Sequence, residues 1–261
     1  MRPNAMKDRF DSGEPAIGVW ITAPCTITTQ AVTGETFHYA CVDLQHGAID
    51  YQAAVPILQT IELGPATPIT RVPWNEPGII GKVLDAGSMG VIVPMVNTRA
   101  QAEAAVFASR YPPVGGRSHG PVRAALAHGA DYWRDANDAV SVIPMIETVE
   151  ALTNADDILS TPGVDACYVG PADLSRSLGL APGNNDDEPA FVDAMVAIAD
   201  ACKRNGVVAG CHTVAELTER RLEMGYQMIT VTSDLVALRR GLASELDLMR
   251  GSGTAGDASM Y

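Results

Sequence analysis

The sequence predicts a single (β/α)8 barrel with an ordered insertion between its fourth and fifth strands. Three observations predict it. Eight short apolar runs rich in β-branched residues recur along the 261 residues. Most are continuous rather than alternating, as strands covered on both faces are. Between them lie stretches with apolar residues at helical spacing, several of which end in Gly. Strand–helix alternation repeated in this way over one chain of this length is the pattern of a barrel. A doubly wound open sheet also alternates, but it usually carries a Gly-rich first turn, and none follows the first run.

In order, the strand runs are AIGVWIT (16–22), YACVDLQ (39–45), TPITRVP (67–73), GVIVPMV (90–96), SVIPMIE (141–147), DACYVGP (165–171), VVAGCH (207–212) and MITVTSD (228–234). YQAAVPILQTIEL, TRAQAEAAVFASR, EALTNADDILS, EPAFVDAMVAIADACKRNG and TVAELTERRLEMG are the helical stretches. The longest gap separates the fourth and fifth runs and holds RYPPVGGRSHGPVRAALAHGADYWRDANDA. Its Pro, Gly and aromatic residues predict an ordered insertion over one rim, either a lid or a subunit contact. The expected organisation is one domain over 1–250 and a flexible tail over 251–261. The tail begins GSGTAG, which fits a dinucleotide fingerprint by letter only. It follows no predicted strand and opens no predicted helix.

Composition narrows the partners. The net charge is −13 and the sequence pI is near 4.7, a field that repels nucleic acid and anionic membranes. Cysteines stand at 25, 41, 167, 202 and 211. Their number is odd and no C-x-x-C pair occurs, so they read as buried free thiols in a reducing cytoplasm. The start, MRPNAMKDRFDSGE, has no apolar signal region. No run approaches the ~18 apolar residues of a membrane span. The expected location is therefore the cytoplasm.

Function in a barrel sits at the C-terminal strand ends. The second run closes with Asp43, Gln45 and His46, the third with Arg71, and the fifth with Glu147. The sixth closes with Asp173, after Gly170, Pro171 and Ala172. The seventh closes with His212, and the eighth with Ser233 and Asp234. Glu147 and Asp173 end neighbouring strands, so their carboxylates converge above the barrel. Like charges that close need a proton or a cation between them. Two carboxylates with open positions suit Mg²⁺ or Mn²⁺. Taken singly, each could instead cap the helix that follows it. Arg71 lies in an apolar strand and needs either a structural ion-pair partner or an anionic ligand. His46, three residues after Asp43, is a candidate general base oriented by that carboxylate. His119 and His128 fall in the insertion, and His212 has no assigned role. The lysines are Lys7, Lys82 and Lys203. None closes a strand, which excludes a Schiff-base aldolase and leaves carbonyl chemistry to a metal. The loops HTVAEL and TSDLVAL lack Gly-rich phosphate turns.

Six blocks, VDLQHG, RVPWNEP, GVIVPMVNT, RYPPVGGRS, PMIETVEAL and VGPADLSRSLG, resemble the HpcH/HpaI aldolase family, the class II pyruvate aldolases. The resemblance runs from the first strand to the eighth. It implies a reversible lyase that cleaves a 4-hydroxy-2-oxo acid to pyruvate and an aldehyde through a pyruvate enolate. It implies Glu147 and Asp173 as ligands of a divalent ion (Mg²⁺, Mn²⁺ or Co²⁺), His46 as base with Asp43, and Arg71 at the developing oxyanion. Backbone N–H groups near Ala172 and Asp173 would take the pyruvate carboxylate, Gly170, Pro171 and Ala172 would line the substrate site with Arg71, and His119 would meet the aldehyde. Asp85, in KVLDAGSMG, would reach a neighbouring subunit's site in a homohexamer with an exchanged C-terminal helix. Gln45 departs from members that carry Glu before the base, which bears on tuning rather than on reaction class. A CoA-thioester lyase of the citrate lyase β-subunit type and a non-catalytic binding barrel are the alternatives.

Overall fold

The computed structural model describes residues 4–251. The chain begins with helix α1 (Ala5–Ser12) and strand β1 (Ala16–Ile21), followed by α2 (Thr26–Thr33), β2 (Tyr39–Asp43), α3 (Tyr51–Ile61) and β3 (Thr67–Arg71). Next come α4 (Pro77–Asp85), β4 (Gly90–Val93) and α5 (Arg99–Ser109), then α6 (Val122–His128) and α7 (Tyr132–Ala139) of the insertion. They are followed by β5 (Ser141–Pro144), α8 (Val149–Thr153), α9 (Ala155–Leu159), β6 (Ala166–Val169) and α10 (Pro171–Ser177). The last third holds α11 (Pro189–Asn205), β7 (Val208–His212), α12 (Thr218–Glu223), β8 (Met228–Ser233) and α13 (Asp234–Met249).

The eight strands form one parallel sheet in the order β5-β4-β3-β2-β1-β8-β7-β6. Its free edges meet where Met145 bridges Tyr168 and the Ile146 N–H donates to the Tyr168 carbonyl at 3.0 Å. The barrel of the sequence reading is therefore the observed fold. The fifth run is shorter than read. Pro144 ends the regular pairing with β4, and Met145–Ile146 pass over to β6. Residues 252–261 of the expected tail lie outside the described residues.

Two apolar layers hold the barrel. One lies between the sheet and the helices. The other fills the lumen with Trp20, Tyr39, Ile69, Ile92, Ile143, Tyr168 and Met228. Gly18 makes room inside, because a Cβ there would stand 2.2 Å from the Tyr39 ring. The Tyr39 and Tyr168 hydroxyls both meet Thr230 Oγ1, at 2.8 and 2.6 Å. Buried hydroxyls without such a partner would cost free energy.

The N-terminal residues form a plug. Met6 is fully buried in the lumen layer, and its N–H donates to Thr67 Oγ1 at 3.1 Å. Asn4 caps the helix and also donates to the Ala139 carbonyl at 2.9 Å. Lys7 pairs with Asp165 at 3.0 Å.

The insertion is ordered, but it is no lid over the mouth. It leaves the C-terminal end of α5 and returns to the start of β5, so both of its ends sit at the opposite rim. There Arg117 donates to Asp85 at 2.7 Å, at the end of α4. Arg123 pairs with Glu62. Arg110 reaches the Val140 carbonyl and pairs with Asp165 at 2.9 Å.

Candidate active site

The register of β2 against β3 sets Asp43 beside Arg71. The guanidinium meets the carboxylate with two bonds, Nε to Oδ1 at 2.8 Å and Nη2 to Oδ2 at 2.7 Å. Both side chains are buried, and the Trp20 ring lies 4.3 Å from the Arg71 Cζ. A forked pair of this kind fixes the orientation as well as the charge. Asp43 Oδ1 also accepts the backbone N–H groups of Gln45 (3.1 Å) and His46 (3.3 Å). This corrects one expectation. Asp43 does not hold the His46 imidazole. It turns the backbone after β2, and the exposed His46 side chain stands at the pocket mouth.

Glu147 follows β5 and is 1% exposed. Its Oε1 accepts the Met95 N–H at 2.8 Å. Met95 has φ 56, a left-handed conformation rare for a side chain of this size. Glu147 Oε2 is buried with no partner. Burial raises the Glu147 pKa to about 7; Met95 opposes this, the nearby Asp173 charge adds to it, and Arg71 opposes it. Asp173 is the third residue of α10 and is exposed to the pocket. Neither carboxylate caps a helix. Thr148 caps α8 and accepts the Ala151 N–H at 3.0 Å, while α10 has no side-chain cap. Asp173 has no hydrogen-bond partner among the described residues.

Asp43, His46, Arg71 and Asp173 line a cavity of about 370 Å³ at the C-terminal strand ends, and Glu147 lies behind its wall at Gly170. Gly170, Pro171 and Ala172 line it beside Asp173. A Cβ at Gly170 would intrude on the Glu147 carboxylate. No cluster of three or more His, Cys, Asp or Glu suited to a metal occurs among the described residues. The pair still fits a hard divalent ion. Such an ion takes one or two carboxylates and fills its remaining positions with water and substrate oxygens, and the orphaned Oε2 needs a proton or a cation. A second cavity of about 350 Å³, between α2 and α13, is lined mostly by apolar side chains and holds none of these groups.

Two expected residues lie elsewhere. Asp85 ends α4, and a helix that returns along a barrel ends at the rim opposite the mouth. There it pairs with Arg117. His119 is exposed on the same insertion, its ring 5.6 Å from Tyr111. Neither lines its own chain's pocket. Sequence reading missed Trp20, Thr22, Met95 and Asn184. Trp20 reads as an ordinary core residue, and Met95 carries no residue signal for its backbone. Asp234, read as a strand-end acid, is a clasp. It accepts from the N–H and hydroxyl of Thr22 (3.0 and 2.6 Å) and from the Ala23 N–H (3.0 Å). The five cysteines are free and four of them are buried. No helix among the described residues is long and apolar enough to cross a membrane.

Residues 16–240 match the family model described as HpcH/HpaI aldolase/citrate lyase. A hydroxypyruvate/pyruvate aldolase from Rhizorhabdus wittichii is 38% identical over 239 residues, covering 90% of this chain and 94% of that one. A 4-hydroxy-2-oxo-heptane-1,7-dioate aldolase from Salmonella arizonae is 36% identical, covering 91% of each. Among solved structures, an HpcH/HpaI aldolase/citrate lyase family protein from Burkholderia cenocepacia superposes with a TM-score of 0.89 at 31% identity, over 95% of this chain and 100% of that one. Macrophomate synthase superposes with a TM-score of 0.84 at 26% identity, over 95% and 88%.

Proposed function

The chain belongs to the HpcH/HpaI aldolase/citrate lyase family, and on that premise we propose that it is a divalent-metal-dependent pyruvate aldolase. It cleaves a 4-hydroxy-2-oxo acid to pyruvate and an aldehyde, and runs the addition in reverse. One observation carries the reading: the buried, unpartnered Oε2 of Glu147 lies against Gly170 and within reach of the Asp173 charge, and Gly170 and Asp173 line the pocket that also holds the Asp43–Arg71 pair. An aldol cleavage needs a cation at one end of the donor and a base at the other.

Glu147 and Asp173 would hold Mg²⁺, Mn²⁺ or Co²⁺. Bound there, the ion supplies Lewis acidity to the 2-oxo group and charge for the adjacent carboxylate. Arg71 spends Nε and Nη2 on Asp43, which leaves Nη1 to donate to the oxygen that becomes the enolate. Gly170, Pro171 and Ala172 wall the donor carboxylate. His46 takes the proton of the 4-hydroxyl as the C3–C4 bond breaks. The electron pair stays on C3 as pyruvate enolate, the aldehyde carbonyl forms, and His46 passes the proton it has taken, through water, to C3 to complete pyruvate. In the addition, His46 takes the proton from C3 through water and returns it to the new hydroxyl.

Asp85 and His119 serve, in this reading, a neighbouring subunit of a cytoplasmic homo-oligomer. Their support is a position on the outer rim away from their own pocket.

Pyruvate methyl exchange in D₂O, followed by NMR, tests the core of the proposal without knowledge of the aldehyde. Exchange is expected with Mn²⁺ or Mg²⁺, lost with EDTA, lost in Glu147→Ala and reduced in His46→Ala. Absence of exchange in metal-loaded wild type sinks it.

A further inference from the structure

The reacting groups stand on the ends of β2, β3, β5 and β6. Across the mouth, the ends of β7 and β8 and the loop after α10 supply His212, Ser233 and Asn184, none of which has a part in the cleavage above. His212 stands edge-on to Trp20, with centroids 5.0 Å apart and planes at 87°. Neither of its nitrogens has a hydrogen-bond partner among the described residues. Burial first, then the Arg71 charge, push its pKa down to about 4 against the pull of Asp43. At neutral pH the ring thus offers one N–H donor and one acceptor without charge.

Asn184 is held from behind. Its Oδ1 accepts from Arg221 Nη2 at 3.0 Å. Arg221 is fully buried, and both of its terminal nitrogens are also committed to Asp186, at 2.6 and 2.8 Å. The Asn184 amide is therefore fixed in one orientation with its Nδ2 donor unspent. Among the described residues lining the pocket, Arg71 is the one permanently cationic side chain, and Asp43 already matches it. Among the described residues of its own chain, this side of the pocket has hydrogen-bonding groups set in place and no clamp for a carboxylate.

We infer that His212 and Asn184 form the subsite for the aldehyde, and that they select an uncharged 2-hydroxyaldehyde over an aldehyde with a distal carboxylate. The inference rests on the aldolase reading. A site whose polar groups are placed for a substrate hydroxyl discriminates against the analogue that lacks it, because those groups are then left unpaired.

The test compares kcat/KM for addition of pyruvate to glycolaldehyde, acetaldehyde and succinic semialdehyde. Wild type is expected to prefer glycolaldehyde to acetaldehyde by roughly tenfold or more, and to use succinic semialdehyde least well. His212→Leu and Asn184→Ala are each expected to pull the glycolaldehyde/acetaldehyde ratio toward one, while His212→Gln retains most of it. A ratio is insensitive to the fraction of folded protein. Preference for succinic semialdehyde in wild type, or an unchanged ratio in both variants, overturns the inference. Methyl exchange separates the two levels. Wild type that exchanges pyruvate protons but shows no hydroxyl preference overturns the subsite alone, whereas wild type that does not exchange overturns the aldolase reading and the subsite with it.

Discussion

Gly170 and Glu147 compete for one space: a Cβ at Gly170 would stand 2.4 Å from Glu147 Oε2. The carboxylate cannot yield without leaving the Met95 N–H that holds its other oxygen. Gly170→Ala is therefore expected to weaken Mn²⁺ binding by about 10–100-fold, the scale for displacing a group that orients a ligand. Titration calorimetry with Mn²⁺ measures it, with circular dichroism to verify the fold. An alanine variant that binds Mn²⁺ like wild type counts against Glu147 as a ligand.

Asp43 and Arg71 are a buried pair, so removing one partner strands the other's charge. Asp43→Asn is expected to cost about 3–5 kcal/mol. At roughly 2–4 °C per kcal/mol for a chain of this size, calorimetry should register a fall in Tm on the order of 10 °C. Asp43→Leu with Arg71→Met should recover much of that loss and none of the methyl exchange. Arg71→Lys keeps the charge but not the fork and should lower exchange by at least about tenfold.

The metal-free protein should lose stability as pH rises from about 4.5 to about 7. In that window folded Glu147 holds a proton that the unfolded chain has released. Stability falls wherever the folded state binds more protons, here by ~3 kcal/mol. Mn²⁺ binds the ionised carboxylate, so the rise in Tm on adding metal should grow with pH up to about 7. Melts in EDTA and in Mn²⁺ from pH 5 to 8 check both slopes. A metal-induced rise that is flat with pH would contradict the assignment.

Met6 fills the barrel from below, far from the chemistry. Met6→Ala should cost about 2–5 kcal/mol through the cavity it opens. Methyl exchange per folded molecule should stay at the wild-type rate. Denaturant melts and exchange at a temperature where both proteins are folded distinguish the two effects.

The barrel was legible because eight buried strands leave eight runs that water-facing segments do not imitate. The strand-end residues followed from topology, since a parallel barrel brings its C-terminal ends to one mouth. What failed to read was whatever depends on backbone shape or on distant partners. Met95 looks like the end of an apolar strand, and nothing in its side chain announces a left-handed φ. Asn184 sits in a polar loop that reads as solvated until Arg221 is seen behind it. Asp43 was matched to His46 by proximity in sequence, but the strand register gave it to Arg71. The insertion could have been placed by topology alone: a segment leaving a helix end and entering a strand start must lie at the far rim.

The Asp234 clasp on Thr22 and Ala23 joins residues that a ribosome makes more than two hundred positions apart. β1 likewise pairs with β8. During synthesis the first strand must wait, with one edge open, until nearly the whole chain has emerged. Contacts of such long sequence separation slow folding and leave strand edges exposed in the interval. A nascent chain halted before Asp234 would carry every group proposed for the chemistry and still lack the carboxylate that fastens its first loop to the pocket.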